Sequence, residues 1–306
     1  MRVTSGIIKT QLTRDLQGAL AALAKQQAMI SSGRRLNAPA DDPGGAARAL
    51  TVRSRQAATE QLQKNIEIVR TSLSSADATL HSVVDGLQQA KEAAIQGASD
   101  SNDALSRQAI GGQVDQILEA MVSYANTRAP GGTMLFGGQE VATAPYTVTR
   151  DVNGAITAVT VNARGIAGQM LAEVADGLTV AQSVPGTTVF GAMTDPTNVF
   201  DTLIRLRNAL NTNDAATVRT ELDTLTTVHD RATSASVLVG TRLGWLDTLE
   251  NRLNDEAVTF ATSLSAIEDV DMVKAVSDLV QIQTFYEAGL ASGARLLRES
   301  LVDFLR

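Results

Sequence analysis

The sequence predicts a mainly α-helical fold with a β insert. It reads as an elongated antiparallel helical-bundle or coiled-coil rod formed by the N- and C-terminal halves, with a small β domain inserted in the middle. Three observations predict this. Apolar residues recur every seven positions over two long segments, Val52 to Ala94 and Val218 to Ile267. The stretch at about 134–198 between them loses that period and turns rich in Gly, Thr and Val. Finally, the order of helices and breaks is nearly palindromic, so the two halves can lie side by side.

Residues 1–32 form an amphipathic helix, with Leu16, Leu23 and Ile30 seven apart and Ile8, Leu12 and Leu20 in support. Ser31-Ser32-Gly33 ends it, because glycine takes the left-handed position after a helix without a Cβ penalty. A short loop follows with Arg34, Arg35, Asn37 and Pro39. Asp41-Asp42-Pro43 starts the next helix: Asp42 can cap free N–H groups, and proline suits the first helical position. From there Val52, Thr59, Ile66, Leu73, Leu80, Leu87 and Ala94 make one row, and Leu62, Val69, Ala76, Val83 and Ala90 a second. A helix from Pro43 to about Ala98 is roughly 80 Å long at 1.5 Å per residue. Asn102-Asp103 caps a third helix, carried by Ile110, Val114, Ile117, Met121 and Tyr124 and ending near Asn126.

Within the insert, Thr147-Val148-Thr149 and Thr157 to Val161 flank Asn153-Gly154, a strong hairpin signal. Further strand-like pieces surround Asp176-Gly177 and Pro185-Gly186. Helical periodicity resumes after Pro196. Val218, Leu225, Ala232, Val239, Leu246, Leu253, Phe260 and Ile267 form its main row. A weaker second row is read as Leu222, His229, Ser236, Leu243, Glu250, Ala257 and Leu264. The phase breaks at Glu268-Asp269-Val270-Asp271 and restarts with Val276, Gln283, Leu290 and Leu297, accompanied by Leu279 and Tyr286. The predicted division is terminal assembly helices at 1–32 and 272–306, a helical rod at 43–128 and 199–267, and a β domain at 133–198.

A rod base made of two short amphipathic helices has a poor core, and isolated helices gain most of their stability from tertiary packing. The terminal segments are therefore expected to fold on assembly against neighbouring subunits. The expected assembly interface is Ile8, Leu12, Leu16, Leu23 and Ile30 with Val276, Leu279, Tyr286, Leu290, Leu297, Leu301 and Leu305. The junction between base and rod is expected at Gly33, Arg34, Asn37, Asp41, Asp42 and Pro43, facing Glu268, Asp269 and Asp271.

Composition narrows the function. Hydrophobic residues are 44%, enough for a core, and aromatics only 3%, which favours Ala, Leu and Val seams. The insert lacks aromatic or charged clusters, which argues against a binding module. Cysteine is absent, so disulfides and thiolate metal sites are excluded. A net charge of −7 argues against nucleic acid. The charge is uneven, with residues 1–70 at +6 and the remainder at −13, so the two ends can attract each other or a neighbouring subunit. No apolar run resembles a signal peptide or spans a bilayer, so no membrane insertion is expected.

No catalytic constellation is present. His81 and His229 stand far apart, no HExxH occurs, and GxxxxGK[ST], GxGxxG and GxSxG are missing. The acidic pairs 41/42 and 269/271 sit at helix junctions, where capping accounts for them. Trp245, the only tryptophan, lies in a helical row, where packing or a subunit contact accounts for it. No enzyme activity, cofactor or metal is expected.

Four segments carry a resemblance: ISSGRRLNAPADDPGGAARAL, NIEIVRTSLSSADATL, ANTRAPGGTMLFGG and SAIEDVDMVKAVSDLVQIQTFYEAGL. Together they resemble the flagellin family of bacterial flagella. MRVT at the start, Pro43 after the paired Asp, LFGG at Leu135–Gly138 and VPGTTVFG at Val184–Gly191 are similar to the hook–filament junction branch. The end, LLRESLVDFLR, differs from the Gln- and Asn-rich end usual in flagellin itself. The resemblance implies a helical rod with assembly-competent ends. It also implies export without a cleaved signal through the flagellar type III apparatus, assisted by a chaperone. The location implied is extracellular, in a ring of subunits between another hook-associated protein and flagellin. A flagellin filament subunit is the nearest alternative. A secreted helical effector or adhesin, using the insert to bind, is the alternative of another class.

Overall fold

The computed structural model describes residues 5–140, 142–162 and 166–304. In chain order the elements are α1 (Ser5–Ser32), α2 (Pro43–Gly97), α3 (Ala104–Ala125), β1 (Tyr146–Arg150), β2 (Ile156–Val161), β3 (Leu171–Ala175) and β4 (Leu178–Ala181). They continue with α4 (Gly186–Phe190), α5 (Val199–Asn211), α6 (Ala215–Glu268) and α7 (Met272–Phe304). The fold is mainly α with a small β region in the middle. It divides into two compact units, Met1–Thr59 with Asp255–Arg306, and Glu60–Asn254.

In the Glu60–Asn254 unit α2 and α6 are antiparallel, as their cross-links show. Gln63 Nε2 donates to Asn254 Oδ1 at 2.8 Å, and Arg70 pairs with Glu250 and, at 2.7 Å, with Asp247. Further along, Ser236 Oγ donates to Asp77 Oδ1 at 3.4 Å, and Arg219 donates to the Ala98 carbonyl at 3.1 Å. The seven-residue rows sit at the centre of this unit. Leu73, Leu80 and Leu87 of α2 and Val218, Leu225, Ala232, Val239 and Leu246 of α6 are all buried. Burying each such leucine in place of leaving it in water is worth about 1.5–3 kcal/mol.

Three sequence expectations need correction here. The C-terminal helix is not continuous from 199 to 267. It breaks after α5 at Thr212–Asp214, where Asn213 takes φ +60 and Asp214 Oδ1 caps α6 by accepting from Ala216 N and Thr217 N, both at 3.1 Å. Asparagine tolerates the left-handed region better than most residues, so no Gly or Pro was needed to mark the turn. The second buried row of α6 is Glu221, Val228, Ala235 and Leu249; the row through Leu222, His229, Ser236 and Leu243 is half-buried. A helix that meets several neighbours buries a face wider than a two-row seam, and the half-buried row is its border. Lastly, Pro185-Gly186 begins a helical turn, not a strand: Pro185 is the N-cap of α4, which turns Val189 and Phe190 into the core.

The insert contains two separate antiparallel hairpins. In the first, Thr147 faces Thr160 and Val148 faces Val159, with the turn at Asn153-Gly154. In the second, β3 and β4 flank Asp176-Gly177. Contrary to the compositional reading, aromatic residues do cluster: Phe136, Tyr146, Phe190 and Phe200 are buried with ring centroids 4.9–5.5 Å apart. They are far apart in sequence, so no local run announced them. Two of the pairs, Phe136–Phe190 and Tyr146–Phe190, are edge-to-face, an arrangement that adds about 0.5–1.5 kcal/mol each beyond area burial.

The Tyr146 hydroxyl is buried and has no hydrogen-bond partner among the described residues, and burial pushes its phenol well above the usual range. An unsatisfied buried donor is costly while its apolar replacement is not. Tyr146→Phe is therefore expected to leave stability unchanged or to raise it by about 1 kcal/mol, read as the midpoint of urea unfolding at constant slope. A loss above that size would show that the hydroxyl has a partner.

Candidate assembly interface

The Met1–Thr59 and Asp255–Arg306 unit brings together the two breaks that the sequence marks. Gly33, at φ +69, ends α1 and turns the chain. Its carbonyl accepts from Val270 N at 3.1 Å, while Arg35 N donates to the Glu268 carbonyl at 2.6 Å. These bonds close a short antiparallel bridge between Arg34 and Asp269.

Side chains lock the bridge. Glu268 is only 4% exposed, and its carboxylate takes Arg53 Nη2 at 2.6 Å, with Arg34 Nη1 at 3.9 Å. Arg35 Nη2 donates to the Ile267 carbonyl at 2.8 Å. Asp41 accepts from Asn37 N at 3.3 Å and Ala38 N at 3.0 Å, which closes the loop on itself, and pairs with Lys25 at 2.8 Å. The Lys25 bond holds its carboxyl below the usual range, helped by the backbone donors. Asn37 Nδ2 donates to the Arg34 carbonyl at 3.2 Å. Asp42 accepts from Gly45 N at 2.8 Å just after Pro43, the first residue of α2, and this bond lowers its carboxyl too. Asp271 accepts from Lys274 N at 3.1 Å at the start of α7, while Asp269 accepts from Ser265 Oγ. Of the nine junction residues named from sequence, Gly33, Arg34, Glu268 and Asp269 form the bridge, while Asn37, Asp41, Asp42 and Pro43 order the loop and the start of α2, and Asp271 starts α7. Arg53, missed from sequence, completes the bridge; a partner 215 residues away leaves no local signal.

The second part of the unit is the seam between α1 and α7. On α1 it uses Leu12, Leu16, Ala19, Leu23, Gln26 and Ile30; on α7 it uses Ala275, Leu279, Ile282, Tyr286, Gly289 and Gly293. Both sets step by four and three, the spacing of one helical face. The helices are antiparallel. A Cβ on Gly289 would lie 3.1 Å from Leu16 Cδ2, and one on Gly293 2.7 Å from Leu12 Cδ2, so the two glycines admit the leucines. At the other end Gln26 Nε2, buried, donates to the Ala275 carbonyl at 2.9 Å. Gly293→Leu is expected to force the seam apart. Hydrogen exchange in α1 should then rise, and the double variant with Leu12→Ala should recover protection. Unchanged exchange in the single variant would mean that the glycine is not a contact point.

The seam differs from the row read in sequence. Leu12, Leu16, Leu23, Ile30, Leu279 and Tyr286 are half-buried in or beside it, but Val276 and Leu290 are not in it. The reading by period favoured bulky residues, whereas the packed face of α7 uses Ala275, Gly289 and Gly293. Leu20 also faces outward. The side chains of Ile8, Leu297 and Leu301, and all of Leu305, lie outside the described residues.

What remains is an open apolar stripe on α7: Val273, Val276, Val280 and Leu290, with Val273 83% exposed. Val273, Val276 and Val280 step by three and four, and Leu290 lies ten residues further along the helix; they cover nothing within the chain's described residues. No group of three or more His, Cys, Asp or Glu among the described residues could hold a metal, and no helix there is long and apolar enough to cross a membrane.

Residues 3–140 match the family described as the bacterial flagellin N-terminal helical region. Flagellar hook-associated protein 3 of Escherichia coli is 22% identical over 299 residues, covering 94% of this chain and 94% of that protein. The flagellin of Listeria monocytogenes is 20% identical over 291 residues, covering 95% of this chain and 94% of that protein. The crystal structure of flagellar hook-associated protein 3 from Legionella pneumophila has a TM-score of 0.62 at 18% identity, covering 71% of this chain and 98% of that one. That last likeness shows the fold. The chain is thus similar to flagellar proteins, over residues 3–140 to the flagellin N-terminal helical region and over nearly its whole length to flagellar hook-associated protein 3.

Proposed function

We propose that this chain is a non-enzymatic structural subunit of the bacterial flagellum that joins a hook-associated protein to the flagellin filament. The observation that carries this reading is the open apolar stripe of α7 on a chain similar over nearly its whole length to hook-associated protein 3. α1 and α7 form the assembly base, and the stripe through Val276 and Leu290 docks on neighbouring copies in a ring or helical lattice. The bridge at Gly33, Arg34 and Asp269 fixes the base to the helices that follow. Export through the flagellar type III apparatus, with a chaperone, brings it to its extracellular place. No cofactor takes part.

The test is electron microscopy of a deletion strain, with immunoblotting of the medium for flagellin. Bare hooks with flagellin lost to the medium are expected. Intact junctions with missing or altered filaments, and no such leakage, would favour a filament subunit, a reading that the Listeria flagellin match supports. Normal flagella and motility would overturn both.

A further inference from the structure

Many carboxylates of the Glu60–Asn254 unit are matched to an arginine: Asp100 to Arg219, Asp115 to Arg207, Glu119 to Arg150, Glu221 to Arg205, and Asp247 and Glu250 to Arg70. Asp85 and Glu92 are not. Among the described residues Asp85 has no ion pair or hydrogen bond, and Glu92 accepts only from Gln88 Nε2, at 3.2 Å. They stand seven residues apart along α2 and border a groove of about 960 Å³ between α2 and α3. The groove has an apolar side made by Ile95, Ile117 and Tyr124, and no lysine or arginine lines it.

The same helix carries the complement. Arg48 and Arg55 are exposed, seven residues apart, and neither forms an ion pair among the described residues. The surface beside them is a ridge of small, exposed side chains, Ala47, Thr51, Ser54 and Ala58. Seven helical residues rise about 10.5 Å, so the two charge pairs have equal spacing.

We propose that the α2–α3 groove of one copy receives the Arg48–Arg55 face of α2 from a second copy, with the two arginines meeting Asp85 and Glu92. This rests on the self-assembly reading above and gives it a second contact, separate from the α7 stripe. The small ridge lets the helix approach closely. The charges fix register and speed encounter more than they add affinity, since exposed pairs contribute about 0.2–1 kcal/mol each.

The chain has no cysteine, so introduced thiols report cleanly. One preparation carries Gln89→Cys and another Thr51→Cys; the two are mixed at assembling concentration with copper-phenanthroline as oxidant. Mixed disulfide dimers are expected. Adding Asp85→Lys and Glu92→Lys to the first should cut their yield at least tenfold, and adding Arg48→Glu and Arg55→Glu to the second should restore it. Both changes are on exposed side chains, and the restored pair is the control for folding. Sedimentation of the same samples separates the two readings. Copies that associate without this cross-link, or with a yield indifferent to charge, overturn the groove contact alone. Copies that stay monomeric at every concentration overturn the self-assembly reading with it.

Discussion

Replacing Val276 and Leu290 with aspartate is expected to abolish assembly while leaving the fold intact. Both side chains are nearly half exposed, at 46% and 47%, and neither belongs to the α1–α7 seam. Exposed substitutions away from special features shift stability by about 0.5 kcal/mol or less. In an assembled lattice the same positions lose apolar burial and gain a charge that is costly to bury. A combined effect near 3 kcal/mol corresponds to a hundredfold or greater weakening of each contact. Circular dichroism melting should be unchanged, and sedimentation should show loss of the assembled species. Normal assembly by the double variant would remove the stripe from the interface. A collapse of the melting curve would mean that the stripe is part of the monomer's own packing.

Arg53→Met is expected to destabilise the junction more than Glu268→Gln does. The asymmetry follows from burial. The Glu268 side chain is 5% exposed and the Arg53 side chain 48%. Removing the arginine leaves a buried carboxylate with only Arg34 nearby, at 3.9 Å. Breaking a buried pair in this way costs about 3–5 kcal/mol. Neutralising the glutamate leaves an arginine that water can reach, and the amide can still accept its hydrogen bond, so a cost of about 1–2 kcal/mol is expected. Native-state hydrogen exchange at residues 33–35 and 268–270 measures both, because Val270 N and Arg35 N form the bridge. Equal effects would show that Arg53 carries the pair no more than Glu268 does.

The features legible in the sequence were those set by local chemistry. Asp42 and Pro43, Asp103 before α3, and Asn153-Gly154 each fix a boundary through their own backbone preferences, and the structure places α2, α3 and the β1–β2 turn accordingly. The row from Ile66 to Ala94 was legible because one face of α2 is buried throughout. What escaped was set by partners distant in sequence. The seam of α7 includes Gly289 and Gly293, over which Leu16 and Leu12 fit, so bulk alone does not mark the residues that it packs. The aromatic cluster joins Phe136 and Phe200 from opposite ends of the insert. The α5–α6 break turns on Asn213, whose left-handed conformation is one option among several for that residue.

The bridge between the two breaks also sets an order of events in time. Arg35 reaches Ile267 across 232 residues and Gln26 reaches Ala275 across 249. Closing such a loop is entropically costly and slow, and no amount of local helix formation substitutes for it. During synthesis α1 emerges first and has no partner until nearly the whole chain has left the ribosome. The Glu60–Asn254 unit, by contrast, has all its residues once Asn254 has been made, before any of α7. The base is therefore the last part of the molecule to close. For much of synthesis the chain keeps a free amphipathic segment in α1, available to whatever binds it before α7 arrives to compete.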